Sequence, residues 1–304
     1  APAGSRGGLP RRPDGGAKPR WAGNLKQYQF AFFSDELKIA DKNKDPAISA
    51  STGFVTPCAA SFWTTDSGAY WDYPGSVAVG GCKVTNLSFP SAGAYSDAPD
   101  GDIVEKGGVG QRLRGVSSSA SSPYFTTSTN YTTRALKTCN GSSTGSCTAF
   151  TNFSTTNAAV TASLSNDQID WARGKDVNDE NANSTTAEMR PSAHGDVVHS
   201  QPAVVDFGST TGVVAFYGDN SGVFHAVAGG KADGEGDELW GFVAPETFAR
   251  LARLKDNSPL VSLPGVTVTS PVPTPKGYFF DGSIGTYQKQ ISADAYTVWI
   301  FPTM

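Results

Sequence analysis

The sequence is poor in charge, in cysteine and in long apolar runs. Charged residues make up 17% of the 304 positions, and the formal net charge is −4. The whole chain therefore presents no electrostatic footprint for nucleic acid. No apolar run approaches the roughly 18 residues of a membrane-crossing helix, so the chain is not expected to span a membrane. Neither a Cys-x-x-Cys pair nor a nearby histidine accompanies the four cysteines, which disfavours a zinc site at the thiols. Nor does a basic-then-apolar leader precede Ala1, so any secretion signal is expected to have been removed or to lie upstream.

What the chain has in quantity is turn chemistry. Gly and Pro number 34 and 19, and Ser, Thr and Asn abound. That balance suits an extracellular all-β protein with many turns better than a helical cytosolic enzyme. Cys139 and Cys147 bracket a Gly/Ser/Thr loop, and Cys58 and Cys82 bracket a segment carrying Trp63, Tyr70, Trp71 and Tyr73. Of the three pairings that four cysteines allow, the sequential one is the most economical. Closing the shorter loop would contribute roughly 2–3 kcal/mol by chain entropy, and such bonds persist outside the cytosol.

Along the chain, residues 1–20 read as a flexible basic arm, with Arg6, Arg11, Arg12, Lys18 and Arg20 against Asp14 alone. Residues 21–40 enter the folded part, and the alternation Leu25-Lys26-Gln27-Tyr28-Gln29-Phe30 predicts a half-buried strand. Residues 41–190 form a turn-rich, disulfide-containing insertion with one clear helix, from Ser165 as N-cap through Arg173 to Gly174 as the stop. From 191 to 304 the pattern sharpens into strands at Ala203-Val204-Val205, at 212–217, at 223–227 and at 238–243. Four short strands joined by tight turns make one antiparallel sheet of propeller-blade size. A helix is predicted from Pro245 to Leu254, then a further strand pair over 278–285 and 296–301. The fold class expected is mainly β, an incomplete β-propeller with one complete and one truncated blade. The chain itself is expected to be a fragment or an incomplete product, because ending inside a blade leaves apolar edges such as Val298-Trp299-Ile300 unpaired.

Several runs carry a family resemblance. They are Arg20-Trp21-Ala22-Gly23-Asn24-Leu25-Lys26-Gln27-Tyr28, the segment from Glu105 to Arg114, and Arg190-Pro191-Ser192-Ala193-His194-Gly195-Asp196-Val197-Val198-His199-Ser200. Tyr217-Gly218-Asp219-Asn220-Ser221-Gly222-Val223-Phe224-His225-Ala226 and the segment from Leu239 to Glu246 continue them. Together, and in this order, the chain resembles the tip-associated adhesins of type IV pili (the PilY/PilC type), over the start of their quinoprotein-like β-propeller region. The resemblance implies a non-enzymatic protein, extracellular or outer-membrane-associated at the pilus tip. It would prime pilus assembly with minor pilins, support twitching motility and attach to host cells or abiotic surfaces. Two readings from other classes stand beside it: a quinoprotein-like periplasmic dehydrogenase or its relic, and a calcium-regulated surface sensor.

Catalytic constellations are sparse. His194 and His199 stand five residues apart and would face opposite sides of an extended strand, a poor arrangement for joint metal binding. His199-Ser200 is expected to bond backbone at the start of a blade strand. Gly218-Asp219-Asn220-Ser221-Gly222 reads as a hairpin turn. Acidic clusters are the better candidates for a metal. Asp176, Asn178, Asp179 and Asn181 form an oxygen-rich loop that suits calcium, although a solvated acidic turn would look the same. Asp97, Asp100, Asp102 and Glu105 pack four carboxylates around Gly101, and Asp41-Lys42-Asn43-Lys44-Asp45 is broken by two lysines; both read as solvated turns. Phe62, Trp63, Tyr70, Trp71 and Tyr73 either pack beside a Cys58–Cys82 bridge or form an adhesive surface.

Overall fold

Turn residues decide where the first strands begin. In a computed structural model describing residues 17–65, 97–115, 128–140, 147–180, 184–208, 211–232, 235–292 and 295–304, β1 (Gln29–Phe33) and β2 (Glu36–Ala40) form an antiparallel hairpin. Its two loop residues, Ser34 and Asp35, both hold positive φ, as the tight turn that matches strand twist requires. The strand therefore starts later than the alternation at Leu25 predicts. Residues 25–27 are engaged elsewhere: the Leu25 carbonyl accepts from Val109 N, and Gln27 only bridges Phe62.

The insertion contributes several helical and extended pieces that serve the main sheet. α1 (Gly108–Arg114) is pinned by Asn24, whose amide donates to the Val104, Lys106 and Gly107 carbonyls and accepts from Gly110 N. β3 (Leu136–Cys139) and β4 (Phe150–Asn152) pair antiparallel, and a Cys139–Cys147 disulfide closes the loop between them. Cys82 lies outside the described residues, and the expected Cys58–Cys82 pairing with it. After α2 (Ala158–Thr161), α3 (Asn166–Arg173) forms where its caps predict. Ser165 and Gln168 make a reciprocal capping box, and Gly174 ends the helix in the left-handed region.

β5 (Ala203–Asp206), β6 (Val213–Gly218), β7 (Phe224–Ala228) and β8 (Glu238–Phe242) form the expected antiparallel meander. The sheet is larger than four strands, however. Its order is β4-β3-β8-β7-β6-β5, because β3 joins β8 in parallel, Leu136 opposite Gly241 and Lys137 opposite Phe242. The insertion thus covers the backbone edge of the meander, which removes an exposed pairing template. α4 (Phe248–Asp256) follows a single 3-10 turn opened by Pro245. The last pair, β9 (Ile284–Ser292) and β10 (Ala295–Pro302), is a separate hairpin. It begins at Ile284 rather than Tyr278, because Phe279 and Phe280 insert into the core instead, 1% and 3% exposed. The fold is mainly β with a few short helices, and among the described residues none of the three sheets closes on itself.

β6 and β7 read as continuous apolar runs because both of their faces are covered. Val214, Phe216, Phe224 and Ala226 point to one side, against Phe280, Ile284, Val298 and Ile300. Tyr217 and Val227 point to the other, against Val109, Leu113 and Trp63. A third cluster gathers Leu136, Phe153, Trp171, Val223, Phe248 and Leu251 where α3 and α4 meet the ends of the strands. Leu251 is fully buried there, so Leu251→Ala is expected to cost about 2–5 kcal/mol in urea unfolding. A cost below about 1 kcal/mol would mean that α4 is not anchored through this side chain.

Candidate functional site

The β6–β7 turn places a carboxylate that solvent cannot reach. Asp219 opens the turn, with its N–H on the Val223 carbonyl. Its Oδ1 accepts from Ser221 N at 3.0 Å and Val223 N at 3.2 Å, the local closure for which Asp is favoured in turns. Gly222 sits at φ +101°, where a Cβ would also meet Leu251 at 2.9 Å, so only glycine fits. Asp219 Oδ2 accepts from Gly195 N at 2.7 Å, which ties the 190–200 segment to the turn.

Around Asp219 the strands assemble two histidines, a tyrosine, a second carboxylate and an arginine. Antiparallel register sets Tyr217 opposite His225, with rings 4.9 Å apart and nearly parallel. His194 lies over His225 at 5.2 Å, its Nδ1 2.7 Å from the Gly195 carbonyl and its Nε2 2.7 Å from the Tyr217 hydroxyl. His225 Nδ1 is 2.8 Å from Glu238 Oε1, and a register shift between Ala226 and Val227 accompanies this placement of Glu238. Its Nε2 lies 3.3 Å from Asp219 Oδ2, an ion-pair separation without hydrogen-bond alignment. Arg134, just before β3, grips Glu238 with two bonds of 2.7 and 2.8 Å and donates to the Arg173 carbonyl at the end of α3. Exposure is 3% at His194, 1% at Asp219 and nil at His225 and Tyr217.

Burial and charge act against each other on these groups. Burial drives His194 down to about 4, helped by the neighbouring His225 and resisted by Asp219, so it is neutral at pH 7. For His225 burial pulls the same way, but Asp219 and Glu238 outweigh it and hold the ring above its ordinary value. Asp219 and Glu238 are resisted by burial yet held well below the usual carboxylate range, Asp219 by His225 and Glu238 by Arg134. With His225 charged, two cations face two anions and the interior is neutral, which is the condition for burying charge at all.

Sequence reasoning weighed His194 against His199 alone and found the pair poor for a metal; the fold sets His194 beside His225. His199 instead bonds Asp281, and Ser200 Oγ accepts from Gly218 N at 2.9 Å, the backbone role expected of it. In the 176–181 loop the groups turn on each other. Asp176 accepts twice from Glu180 N at 2.8 and 3.0 Å, Asp179 accepts from Ser184 N, and Asn178 donates to the Lys255 carbonyl. Asn181 lies outside the described residues. Asp97 and Asp100 are not solvated but wholly buried, one against Arg114 at 2.5 Å, the other against Lys26 at 3.1 Å. Asp41 is equally buried and accepts from Asn43, Asp45 and Ala60 N–H groups. Trp63 packs inward, its indole donating to the Gly230 carbonyl, and Phe62 lies beneath Lys231; Tyr70, Trp71 and Tyr73 lie outside the described residues. Beside His194, a cavity of about 20 Å³ lined also by Trp171, Arg190 and Asn220 has room for a water but not a quinone.

Comparison with known protein families, with curated proteins and with solved structures finds no match.

Asp176 gives the clearest pH signature outside the histidine cluster. Burial, reinforced by the Glu180 and Glu188 carboxylates and opposed by the Glu180 N–H and Arg190, raises it to about 6. The native state therefore holds a proton that the unfolded chain releases near pH 4, and this contribution is lost as pH rises through 6. Asp176→Asn is expected to unfold later than the parent at pH 7.5, by on the order of 1–3 kcal/mol. The gain should shrink below pH 6 and vanish near pH 4. A gain independent of pH would refute the assignment.

Proposed function

We propose that the chain is a non-enzymatic module of a type IV pilus tip adhesin, displayed at the cell surface, which supports pilus assembly and surface attachment. The observation that carries this reading is the β5–β8 meander, four strands built from the motif runs that resemble that family, whose two central strands are buried on both faces. A sheet covered on both sides is what stacked propeller blades require. The burial of His194, Asp219 and His225 supports the non-enzymatic part, since His194 spends its ring nitrogens on the Gly195 carbonyl and the Tyr217 hydroxyl away from solvent. Quinone chemistry finds no space beside that cluster, and the carboxylates of the calcium candidate, Asp176 and Asp179, are spent on turn N–H groups.

Contact surfaces for minor pilins or sister sheets are available on the two hairpins. Phe30 and Phe32 stand out from β1 at 58% and 73% exposure. On the outer face of β9–β10, Tyr287 and Trp299 pair across the strands at 5.3 Å, with Phe301 beside them. Exposed aromatic groups of this kind mark protein-binding surfaces. In the producing bacterium, the double change Tyr287→Ser, Trp299→Ser is expected to reduce piliation and surface attachment by about tenfold or more while secretion is unchanged, a loss within the hot-spot range of about 2 kcal/mol. Normal piliation and attachment in a strain lacking the gene would defeat the reading.

A further inference from the structure

His225 and Asp219 face each other at an ion-pair distance inside the protein. His225 Nδ1 donates to Glu238 at 2.8 Å, so the ring's other nitrogen is the one that faces Asp219 Oδ2. Were His225 neutral, a lone pair would oppose a buried carboxylate oxygen, which burial makes costly. The positive species there is the proton that charges His225. Fully aligned, such a pair would close to about 2.7–2.9 Å. The separation is 3.3 Å and the pair is not aligned for a hydrogen bond, a spacing that a larger cation would also suit.

We propose that His194, Asp219 and His225 hold a divalent transition-metal ion of the zinc class. Metal–nitrogen and metal–oxygen bonds of about 2.0–2.2 Å in a tetrahedral arrangement set donors about 3.3–3.5 Å apart. His225 Nε2 and Asp219 Oδ2 are at 3.3 Å, His194 Nδ1 and Asp219 Oδ2 at 3.8 Å, and the three donors lie within 4.8 Å of one another. Two imidazoles and one carboxylate select a borderline ion over calcium, which wants six or more oxygens. The outer groups fit the same role. Glu238 takes the far N–H of His225 and is itself fixed by Arg134, while Asp219 Oδ1 is held by Ser221 and Val223 N–H groups. A carboxylate behind a ligating histidine is the recurrent means of orienting such a ligand.

The protons balance. The ion replaces the proton on His225 Nε2, which leaves to solvent. His194 turns from the Gly195 carbonyl, its proton moves from Nδ1 to Nε2, and the Tyr217 hydroxyl accepts from it. One proton is released per ion bound, so uptake strengthens as pH rises.

The proposal is independent of the pilus reading, and it is tested on the whole chain after dialysis against a chelator. Zinc is titrated calorimetrically at pH 7.5 in two buffers of different ionisation heat, and cobalt(II) is followed by its d–d absorption. One ion per chain is expected, with close to one proton released and a four-coordinate cobalt spectrum, a water completing the three protein ligands. His225→Gln and Asp219→Asn are expected to weaken binding by more than about 100-fold, since even outer-shell partners are worth about 10–100-fold; His199→Gln should leave it unchanged. Should the first two variants fail to fold by near-ultraviolet circular dichroism, ¹⁵N NMR of the parent decides, because zinc must remove the His225 Nε2 proton. Absence of saturable binding, binding that survives His225→Gln and Asp219→Asn, loss in His199→Gln, or a His225 that keeps both protons under saturating zinc would each overturn the proposal.

Discussion

A carboxylate without access to water has to be answered inside the protein, and Asp219 imposes that demand on everything near it. Its two oxygens close the β6–β7 turn, seize the Gly195 N–H and face His225, so one side chain fixes a hairpin, a distant loop and the ring of a neighbour. His225 passes the demand to Glu238, and Glu238 to Arg134. The chain of charges ends in the insertion, whose Arg134 also reaches the last turn of α3. Segments more than a hundred residues apart in sequence are thereby held by electrostatic necessity as well as by apolar contact.

That necessity explains why the insertion belongs to the sheet. Arg134 lies two residues before β3, so its grip on Glu238 at the start of β8 sets the two strands side by side and in parallel. Leu136 then drops into the apolar cluster with Val223, Val243 and Leu251. The opposite face of the meander is closed by Phe280 and by the inner residues of the β9–β10 hairpin. With the central strands covered on both faces and one edge paired, the outward aromatic residues of the two hairpins remain exposed.

Much of the four-strand meander was legible in the sequence, for a local reason. Strands of β-branched and aromatic residues stand between turns whose Gly, Asp and Asn leave little alternative, and the caps of α3 at Ser165 and Gly174 are equally local. The union of β3 with β8 was not legible, because Leu136-Lys137-Thr138-Cys139 carries no pattern that names a distant partner. His194 was read against His199 through separation along the chain, whereas hairpin register carries His225 to Tyr217 and hence to His194. A signal was present: His225 is a titratable residue inside an otherwise apolar strand, and burying it needs a countercharge. The acidic clusters misled similarly. Asp97 and Asp100 lie close in sequence to basic residues such as Arg114, and pairing across the fold let them sink into the interior.

The account stands on the buried relay from Asp219 through His225 and Glu238 to Arg134, and a double-mutant cycle on Arg134→Met and Glu238→Gln addresses it directly. Each single change is expected to destabilise the chain by about 3–5 kcal/mol, because it strands a buried charge. The double change should cost less than the sum by at least about 1.5 kcal/mol in denaturant unfolding. Strict additivity of the two losses, within about 0.5 kcal/mol, would contradict the claim that this relay holds the insertion to the sheet.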